Sequence, residues 1–460
     1  MTTVMENEWV QQEMVTLKLP DKRLKERTIK LLTDFSQNPT ASIPEFCGDW
    51  AATQAAYQYY GHQAVSHEAL VAAHGQATVA RIKGGDYKRI LAIQDTSEYN
   101  FSAHAATEGL GPLDNAHVQG FFAHSTLAVT EEGLPLGLLA QEVWVRPEAD
   151  QGKDKNRPIE DKESFKWLKG LSQSSALLPK PVQVVQVSDQ ESDIFEYFVY
   201  PRPDNVDLLL RSYHQRGVVD ETKDVRATLR TSPVRGKVEV AVRRTPDQPP
   251  RTAVCQVYYQ RLKLRPPKKR PGLPLDLKPV ALSAVLIREM SPPEGVEPIE
   301  WLLLTTLPVT TFDQACQIIQ YYTARWLIER FHFVLKSGCA LEDRQLRTAN
   351  RLQRFLALAN VVAWRLLWLT YLGRGQPDLP CTVAFADFEW QALYAYTHKT
   401  TLLPAEPPSL QQVTLWLAKL GGFLGRKADG YPGVKVLWRG WQRLTNIVQT
   451  WLIFNPSLLT

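Results

Sequence analysis

The sequence contains little cysteine. Its 460 residues include five, an odd number, and no two of them form a CxxC pair. They are Cys47, Cys255, Cys316, Cys339 and Cys381. This usage argues against a disulfide framework and against a zinc site, and it indicates a reducing compartment such as the cytoplasm.

Long hydrophobic runs are also missing from the sequence, and its first residues lead us to expect no secretory leader. No run of about 18 apolar residues occurs, so we expect no spanning helix and no membrane partner. Residues 1–10 are polar and acidic, unlike a signal peptide. With 44% hydrophobic residues, the chain is long enough for two or three domains and at least one large core.

Excess charge of one sign is small overall but concentrated in one segment. The formal net charge is +5, whereas Arg211–Arg270 alone carries 16 Lys or Arg and 5 Asp or Glu. The densest part is Arg261–Arg270. Such a segment fits a polyanionic partner, and the alternative is a solvated basic loop.

Four polar side chains recur at helical spacing near residue 330. At about 100° per residue, Tyr322, Arg325, Glu329 and Lys336 fall within an arc of roughly 60° on an α-helix. A carboxylate held among cationic and hydrogen-bonding groups suits a metal ion beside a phosphodiester. The alternative is a solvated helix face with an Arg325–Glu329 pair four residues apart.

Two aspartates are predicted to follow buried strands. Asp95 comes after the apolar run 89–94, and Asp189 comes after 181–187. With Glu329 they form a set of three carboxylates whose mutual repulsion bound divalent cations would offset. Oxygen ligands favour magnesium or manganese over zinc. Taken singly, each aspartate could equally be a cap or turn residue.

The order of patterns along the chain predicts an α/β fold. Residues 1–70 are predicted to form three short helices starting after Asp21, Asp49 and Ser66. An antiparallel hairpin over 121–144 and later β-α-β units indicate a ribonuclease-H-like mixed sheet within 71–372. A β-rich insertion is expected at about 218–310. Helices are expected at 311–337, at 350–371 and through the C-terminal region 373–460.

Six collinear motifs make the chain resemble a known family. It is similar to the bacterial cut-and-paste DDE transposases of the insertion-sequence type, typified by the kanamycin-resistance "transposon five" enzyme. The first three motifs are Leu91-Ala-Ile-Gln-Asp95-Thr96, Asp189-Gln-Glu-Ser-Asp193-Ile194 and Trp301-Leu-Leu-Leu-Thr305. The others are Tyr322-Thr-Ala-Arg325-Trp-Leu-Ile-Glu329-Arg-Phe-His332, Lys336-Ser-Gly338 and Ala418-Lys-Leu-Gly-Gly-Phe423.

The resemblance implies roles for individual residues. Asp95, Asp189 and Glu329 would be the catalytic residues and the ligands of two Mg²⁺ ions, with Mn²⁺ as a substitute. Trp301 would stack on a base flipped out of the duplex. Further DNA contacts are expected from side chains that hold phosphates around the transposon end or lie beside them: Tyr322, Arg325, Lys336, Arg211 and His332.

Three positions depart from the family pattern. Gln190 and Phe333 stand where the family often has a basic residue, and Tyr213 stands where a second basic residue is expected. We therefore expect some DNA-end contacts to be weaker or differently made, with Phe333 lying on the DNA-facing arc of its helix. No expected metal ligand is missing.

The function implied by the resemblance is cut-and-paste transposition in a bacterial cytoplasm, on nucleoid DNA. Residues 1–70 would bind the terminal inverted repeats, 71–372 would carry the catalytic site, and 373–460 would pair two copies as a homodimer in the DNA complex. Strand nicking, hairpin formation and resolution, and transfer to target DNA would follow. The alternatives are an inactive end-binding regulator and a structure-selective nuclease. The sequence does not indicate the repeat, the target preference or the order of dimerisation and DNA binding.

Overall fold

The architecture is that of a computed structural model, which describes residues 8–147, 157–242, 249–267, 277–427 and 429–456. The described residues form fourteen α-helices around one large mixed sheet. The α/β class and the helical regions at both ends are therefore confirmed.

Ten strands make up the sheet. They are β1 Arg89–Asn100, β2 Gly111–Pro112, β3 Gln119–Thr130, β4 Pro135–Trp144, β5 Gln183–Ser188, β6 Val206–Arg211, β7 Gly236–Val242, β8 Arg251–Leu264, β9 Val280–Glu289 and β10 Glu300–Thr305.

The helices precede, interrupt and follow these strands. In the first half they are α1 Glu8–Glu13, α2 Lys22–Gln37, α3 Ile43–Cys47, α4 Trp50–Gly61, α5 His67–Gly84, α6 Phe165–Leu177 and α7 Phe195–Val199. In the second half they are α8 Val225–Arg230, α9 Phe312–Ala324, α10 Trp326–Phe333, α11 Ala349–Gly375, α12 Asp387–His398, α13 Leu410–Leu420 and α14 Val434–Phe454.

The centre of the sheet is parallel and its flanks are antiparallel. The strand order is β2-β3-β1-β5-β6-β10-β9-β8-β7, with β4 paired to β3. β1 pairs in parallel with β5, and β5 with β6. Such parallel neighbours require crossover connections, and α6 and α7 lie in the segments that link them.

The predicted β insertion does not form a separate unit. β10 pairs with β6 in antiparallel fashion, and β9, β8 and β7 follow in order, so these strands extend the central sheet. Strand composition does not reveal this, because the pairing of Leu303 with Arg211 joins positions far apart in sequence.

Side chains alternate across the sheet and enter two different cores. Leu91 and Ile93 pack with the N-terminal helices and α9–α11, whereas Ile90 and Ala92 pack on the opposite face with α6–α8. A third core joins α12–α14 with the end of α11. The sheet is thus a middle layer whose edges and strand ends carry the exposed polar groups.

Local signals place the N-terminal helices where the sequence predicts them. The side chains of Asp21, Asp49 and Ser66 each accept a backbone N–H in the first turn of α2, α4 and α5. α5 continues to Gly84 and packs on β4, where His67 contacts Gln141. The last predicted helix of the N-terminal region therefore also belongs to the core of the sheet.

α11, with 27 residues, is the longest helix among the described residues. By length and composition alone it could cross a membrane, but 83% of its most apolar window is buried inside the protein. It packs against α4, α5 and β4 and is the central helix of the core. The five cysteines are all free, and all but Cys316 are buried.

Candidate active site

Asp95 and Asp189 lie on neighbouring parallel strands. Asp189 directly follows β5, where its Oδ1 accepts the Glu191 N–H at 2.8 Å. The sequence predicted that Asp95 follows the end of a strand, but Asp95 lies within β1. Pairing of β1 with β5 stops at Ile93–Val187, while β3 continues to pair with β1 beyond that point and keeps it extended through Asp95.

Glu329 approaches these aspartates from the helical layer. It lies on α10, which packs on β1, and its side chain is 31% exposed. The predicted packing face of this helix is confirmed, because Leu327, Ile328 and Phe331 are all buried. The polar face is thereby turned towards the strand ends.

The electrostatics indicate that the three carboxylates lie near enough to interact. The pKa of Asp95 is raised to about 7, mainly by burial; the charge of Arg325 lowers this pKa, and the charges of Asp189 and Glu329 raise it. Burial also raises the pKa of Asp189. Desolvated carboxylates that repel each other in this way require positive charge nearby.

Arg325 supplies that charge. Its Nη1 lies 3.6 Å from Oδ2 of Asp95, and its Nη2 donates to Oε1 of Glu329 at 2.5 Å. Burial would lower the pKa of Arg325, but Asp95, Glu329 and Asp189 together with Tyr322 raise it. The Arg325–Glu329 pair, which a solvated helix face would also form, is therefore present, and it lies inside the carboxylate cluster.

Tyr322 and Trp301 form an aromatic pair beside the cluster. Their rings meet edge to face, with centroids 5.5 Å apart. Tyr322 is buried and Trp301, on β10, is partly buried. Burial raises the pKa of Tyr322, whereas the charges of Arg325 and Arg211 lower it, which places Arg211 at the end of β6 near the same phenol.

Lys336 leaves the helical stripe. The α-helix ends at Phe333, and Val334–Gly338 form a π-helical turn, so the 100° spacing no longer applies at this residue. Its Nζ lies 3.7 Å from Glu342 and 5.5 Å from the ring of Tyr99. Among the described residues, Lys336 is paired next to the site rather than with the three carboxylates.

Two further predicted positions face the protein interior. His332 is 6% exposed, and burial followed by the charges of Lys336 and Arg325 lowers its pKa to about 3. In this structure His332 is a buried side chain, and a contact with DNA stays a prediction. Phe333 was expected on the DNA-facing arc; it is half-buried, and the centroid of its ring lies 5.6 Å from that of Trp438 on α14, so part of it packs within the protein.

The donor chemistry fits a divalent cation, but the side chains do not yet form a metal site. Within the described part of the chain, no three His, Cys, Asp or Glu side chains are grouped so as to hold a metal ion. Asp95, Asp189 and Glu329 offer only carboxylate oxygens, the ligands that Mg²⁺ and Mn²⁺ prefer. The position between Asp95 and Glu329 is taken by Arg325.

Sequence reasoning missed a buried carboxylate that organises the loop after β6. Asp193 is fully buried, and its Oδ2 accepts the backbone N–H groups of Tyr213 and His214, both at 2.9 Å. Its Oδ1 accepts from Arg216 at 2.7 Å. Asp193 was visible only as the fifth residue of the Asp189 motif, and nothing nearby in sequence indicates these partners.

Polar groups behind the cluster also went unnoticed. Gln94, next to Asp95, donates to Gln186 at 2.8 Å and contacts His124 at 3.0 Å, so it joins β1 to β5 and β3. Burial raises the pKa of Asp189, and the positive charge of Lys166 on α6 opposes this rise. A glutamine within an apolar strand sequence does not indicate its hydrogen-bond partners, because these lie on other strands.

The basic segment is partly neutralised within the protein. Arg226 and Arg230 pair with Glu300, and Arg251 pairs with Glu289. Residues 243–244 and 268–270, which include part of the densest run, lie outside the described residues. The charge available to a polyanion is therefore smaller than the count along the sequence.

Comparison with protein families gives three matches along the chain. Residues 6–65 match a model described as transposase DNA-binding, residues 147–365 a transposase DDE domain, and residues 361–452 the transposase Tn5 dimerisation domain. Asp189 and Glu329 lie inside the DDE match. Asp95 lies between the first two matches, and it is the tertiary structure that brings it to the other two carboxylates.

Proposed function

Since the chain belongs to the Tn5-type DDE transposases by its three-part architecture, we propose that it moves an insertion sequence by cutting and pasting DNA. The observation that carries this proposal is the approach of Asp95, Asp189 and Glu329 to one another around Arg325. The DNA-binding and dimerisation matches support DNA binding and homodimer formation by the same chain.

The three carboxylates would serve as the metal ligands. Asp95, Asp189 and Glu329 would hold divalent cations, Mg²⁺ with Mn²⁺ as substitute and two per site, whose chemistry is to activate an attacking oxygen and stabilise a leaving one. The partial burial of these side chains excludes much of the water and strengthens every charge interaction in the site.

The neighbouring side chains would position the DNA. Arg211 and Lys336 would each bind a phosphate, and the Tyr322 hydroxyl would donate to another, next to the reacting phosphodiester. Trp301 would stack on a base displaced from the duplex; such stacking is worth about 1–3 kcal/mol per base. Its edge contact with Tyr322 would hold the indole in place for that base.

The proposed reaction runs as successive displacements at phosphorus. Water attacks at the transposon end and releases a 3′-OH, which attacks the opposite strand and closes a hairpin. Water then reopens the hairpin, and the same 3′-OH joins target DNA. Each step exchanges one oxygen for another in line, so one set of positioned carboxylates serves all of them.

The homodimer would form through the C-terminal helices. Exposed and partly buried apolar side chains gather where α12 and the 399–402 turn meet α14, and we call this the C-terminal apolar face; it consists of Tyr396, Leu402, Ile447, Trp451 and Phe454. Phe454 is 78% exposed and Leu402 81%. Large exposed apolar groups of this kind are typical of subunit contacts. The protein would act in the cytoplasm of a bacterium, on nucleoid DNA.

Short duplexes that carry the element's own terminal repeat test the proposal. With Mg²⁺, the wild-type protein is expected to nick these duplexes and form end-specific hairpins, and Glu329→Gln is expected to bind them without cutting. Glu98→Gln is the matched control, since Glu98 is an exposed carboxylate on β1 only three residues from Asp95. It should retain full activity.

Two other results would replace the proposal. Tight end binding without cleavage by the wild-type protein would make the chain an inactive regulator of transposition. Cleavage of branched DNA regardless of end sequence, with no joining to target, would make it a structure-selective nuclease.

A further inference from the structure

The cation among the site carboxylates is a side chain of the protein itself. The guanidinium of Arg325 bridges Asp95 and Glu329, and only 19% of its side chain is exposed. A bridge that is largely removed from water is stronger than an exposed pair, because the solvent screens it less. One guanidinium thus offsets part of the negative charge of Asp95 and Glu329.

A divalent cation would compete with Arg325 for the same two carboxylates. Oδ2 of Asp95 and Oε1 of Glu329 are the atoms that face the guanidinium. A metal ion bound to these atoms would lie within a few ångströms of a fixed positive charge, and the two would repel each other strongly in this partly buried place. The observed position of Arg325 therefore opposes metal binding.

Arg325 also has the chemistry to leave this position for DNA. A guanidinium donates in the same forked geometry to a phosphate as to a carboxylate. The residue stands at the junction of α9 and α10, on the face towards Tyr322 and the strand ends. A phosphodiester brought to that face offers a partner equivalent to the carboxylates that Arg325 would give up.

We propose that Arg325 is a resident counter-cation that blocks the metal site of the DNA-free protein, and that its transfer to a DNA phosphate frees Asp95 and Glu329 to bind divalent cations. The proposal rests on the proposed metal-binding function of the three carboxylates. It makes metal binding and DNA binding mutually reinforcing, since each favours the same position of one side chain, and such coupling is reciprocal.

The affinity of the DNA-free protein for Mn²⁺ alone tests this proposal, with free Mn²⁺ counted by electron paramagnetic resonance. Arg325→Ala is expected to bind Mn²⁺ at least ~10-fold more tightly than the wild type, since 10-fold corresponds to removing only a modest competing charge. Arg325→Gln keeps most of the length of the side chain without its charge. Arg325→Gln is also expected to bind Mn²⁺ at least ~10-fold more tightly than the wild type, and it replaces Arg325→Ala in the test if the alanine variant does not fold.

Lys169→Ala is the matched control. It removes one positive charge, but Lys169 on α6 pairs with Glu142 on β4 and not with the site carboxylates. Its Mn²⁺ affinity is expected to stay within about 3-fold of the wild type, the range for a distant, screened charge. Equal tightening in Arg325→Ala and Lys169→Ala, or no tightening in either Arg325 variant, would overturn the proposal.

The same assay separates this inference from the proposed function. Asp95→Asn and Glu329→Gln are expected to lose Mn²⁺ binding in the Arg325→Ala background. If they do not, the carboxylates are not the metal ligands and the proposed function fails. If they do, and Arg325→Ala alone does not tighten binding, only the counter-cation proposal fails.

Discussion

Replacement of Asp193 by alanine is expected to destabilise the loop that follows β6. The fully buried carboxylate accepts from the Ser212 hydroxyl, from the backbone of Tyr213 and His214, and from two nitrogens of Arg216. Without it, the Arg216 side chain, 12% exposed, loses its ion-pair partner. Removing one member of a buried pair costs about 3–5 kcal/mol, and we expect a loss in that range.

Denaturant unfolding and amide hydrogen exchange together measure this effect. The amides of Tyr213 and His214 should exchange much faster in Asp193→Ala, because the Oδ2 atom that holds both is gone. Asp204→Ala, a change in the exposed turn that precedes β6, is the control and should stay within about 0.5 kcal/mol of the wild type.

The double variant Asp193→Ala/Arg216→Ala sharpens the test. It should be more stable than Asp193→Ala alone, since it removes the buried charge that the single change leaves without its carboxylate. A loss below about 1 kcal/mol in Asp193→Ala, with unchanged exchange at the two amides, would refute the reasoning.

Three further predictions follow from the same structure. His332 has a folded-state pKa of about 3 against 6.5 when unfolded. Neutral His332 therefore contributes stability above pH 6.5, and this contribution is lost as the pH falls towards 3. Between pH 7 and pH 5, the unfolding free energy of His332→Gln should fall by about 2 kcal/mol less than that of the wild type. Trp301→Ala should still nick end duplexes but form hairpins roughly 10-fold less, a drop checked on gels, because about 1–3 kcal/mol of base stacking is lost. Phe454→Asp and Leu402→Asp, at side chains 78% and 81% exposed, should reduce dimer formation in sedimentation experiments with DNA ends, whereas Leu424→Asp, 69% exposed outside the C-terminal apolar face, should not.

Local signals in the sequence predicted much of the secondary structure. The caps at Asp21, Asp49 and Ser66 lie within a few residues of the N–H groups they accept, so each can be read from a short window. The hairpin of β3 and β4 is equally local, with Gly133 at a φ of +89° in its turn. The apolar spacing of α10 likewise identified its buried face.

The candidate site could be predicted only in outline. The sequence identified the three carboxylates and Arg325 as candidates, and the structure brings them together. It did not indicate that Asp95 lies inside a strand, that a π-helical turn moves Lys336 out of the stripe, or that Phe333 packs against Trp438. Each of these depends on which distant segment packs against the residue.

By itself, then, the sequence determined the fold class, the helix starts and the types of side chain available for the chemistry. Only the tertiary structure decided that the β-rich segment continues the central sheet, that Asp193 organises the loop after β6, and that Arg325 lies between Asp95 and Glu329. The reason is physical. Caps and periodicity act over a few residues, whereas strand pairing, burial and charge pairing can join segments more than two hundred residues apart.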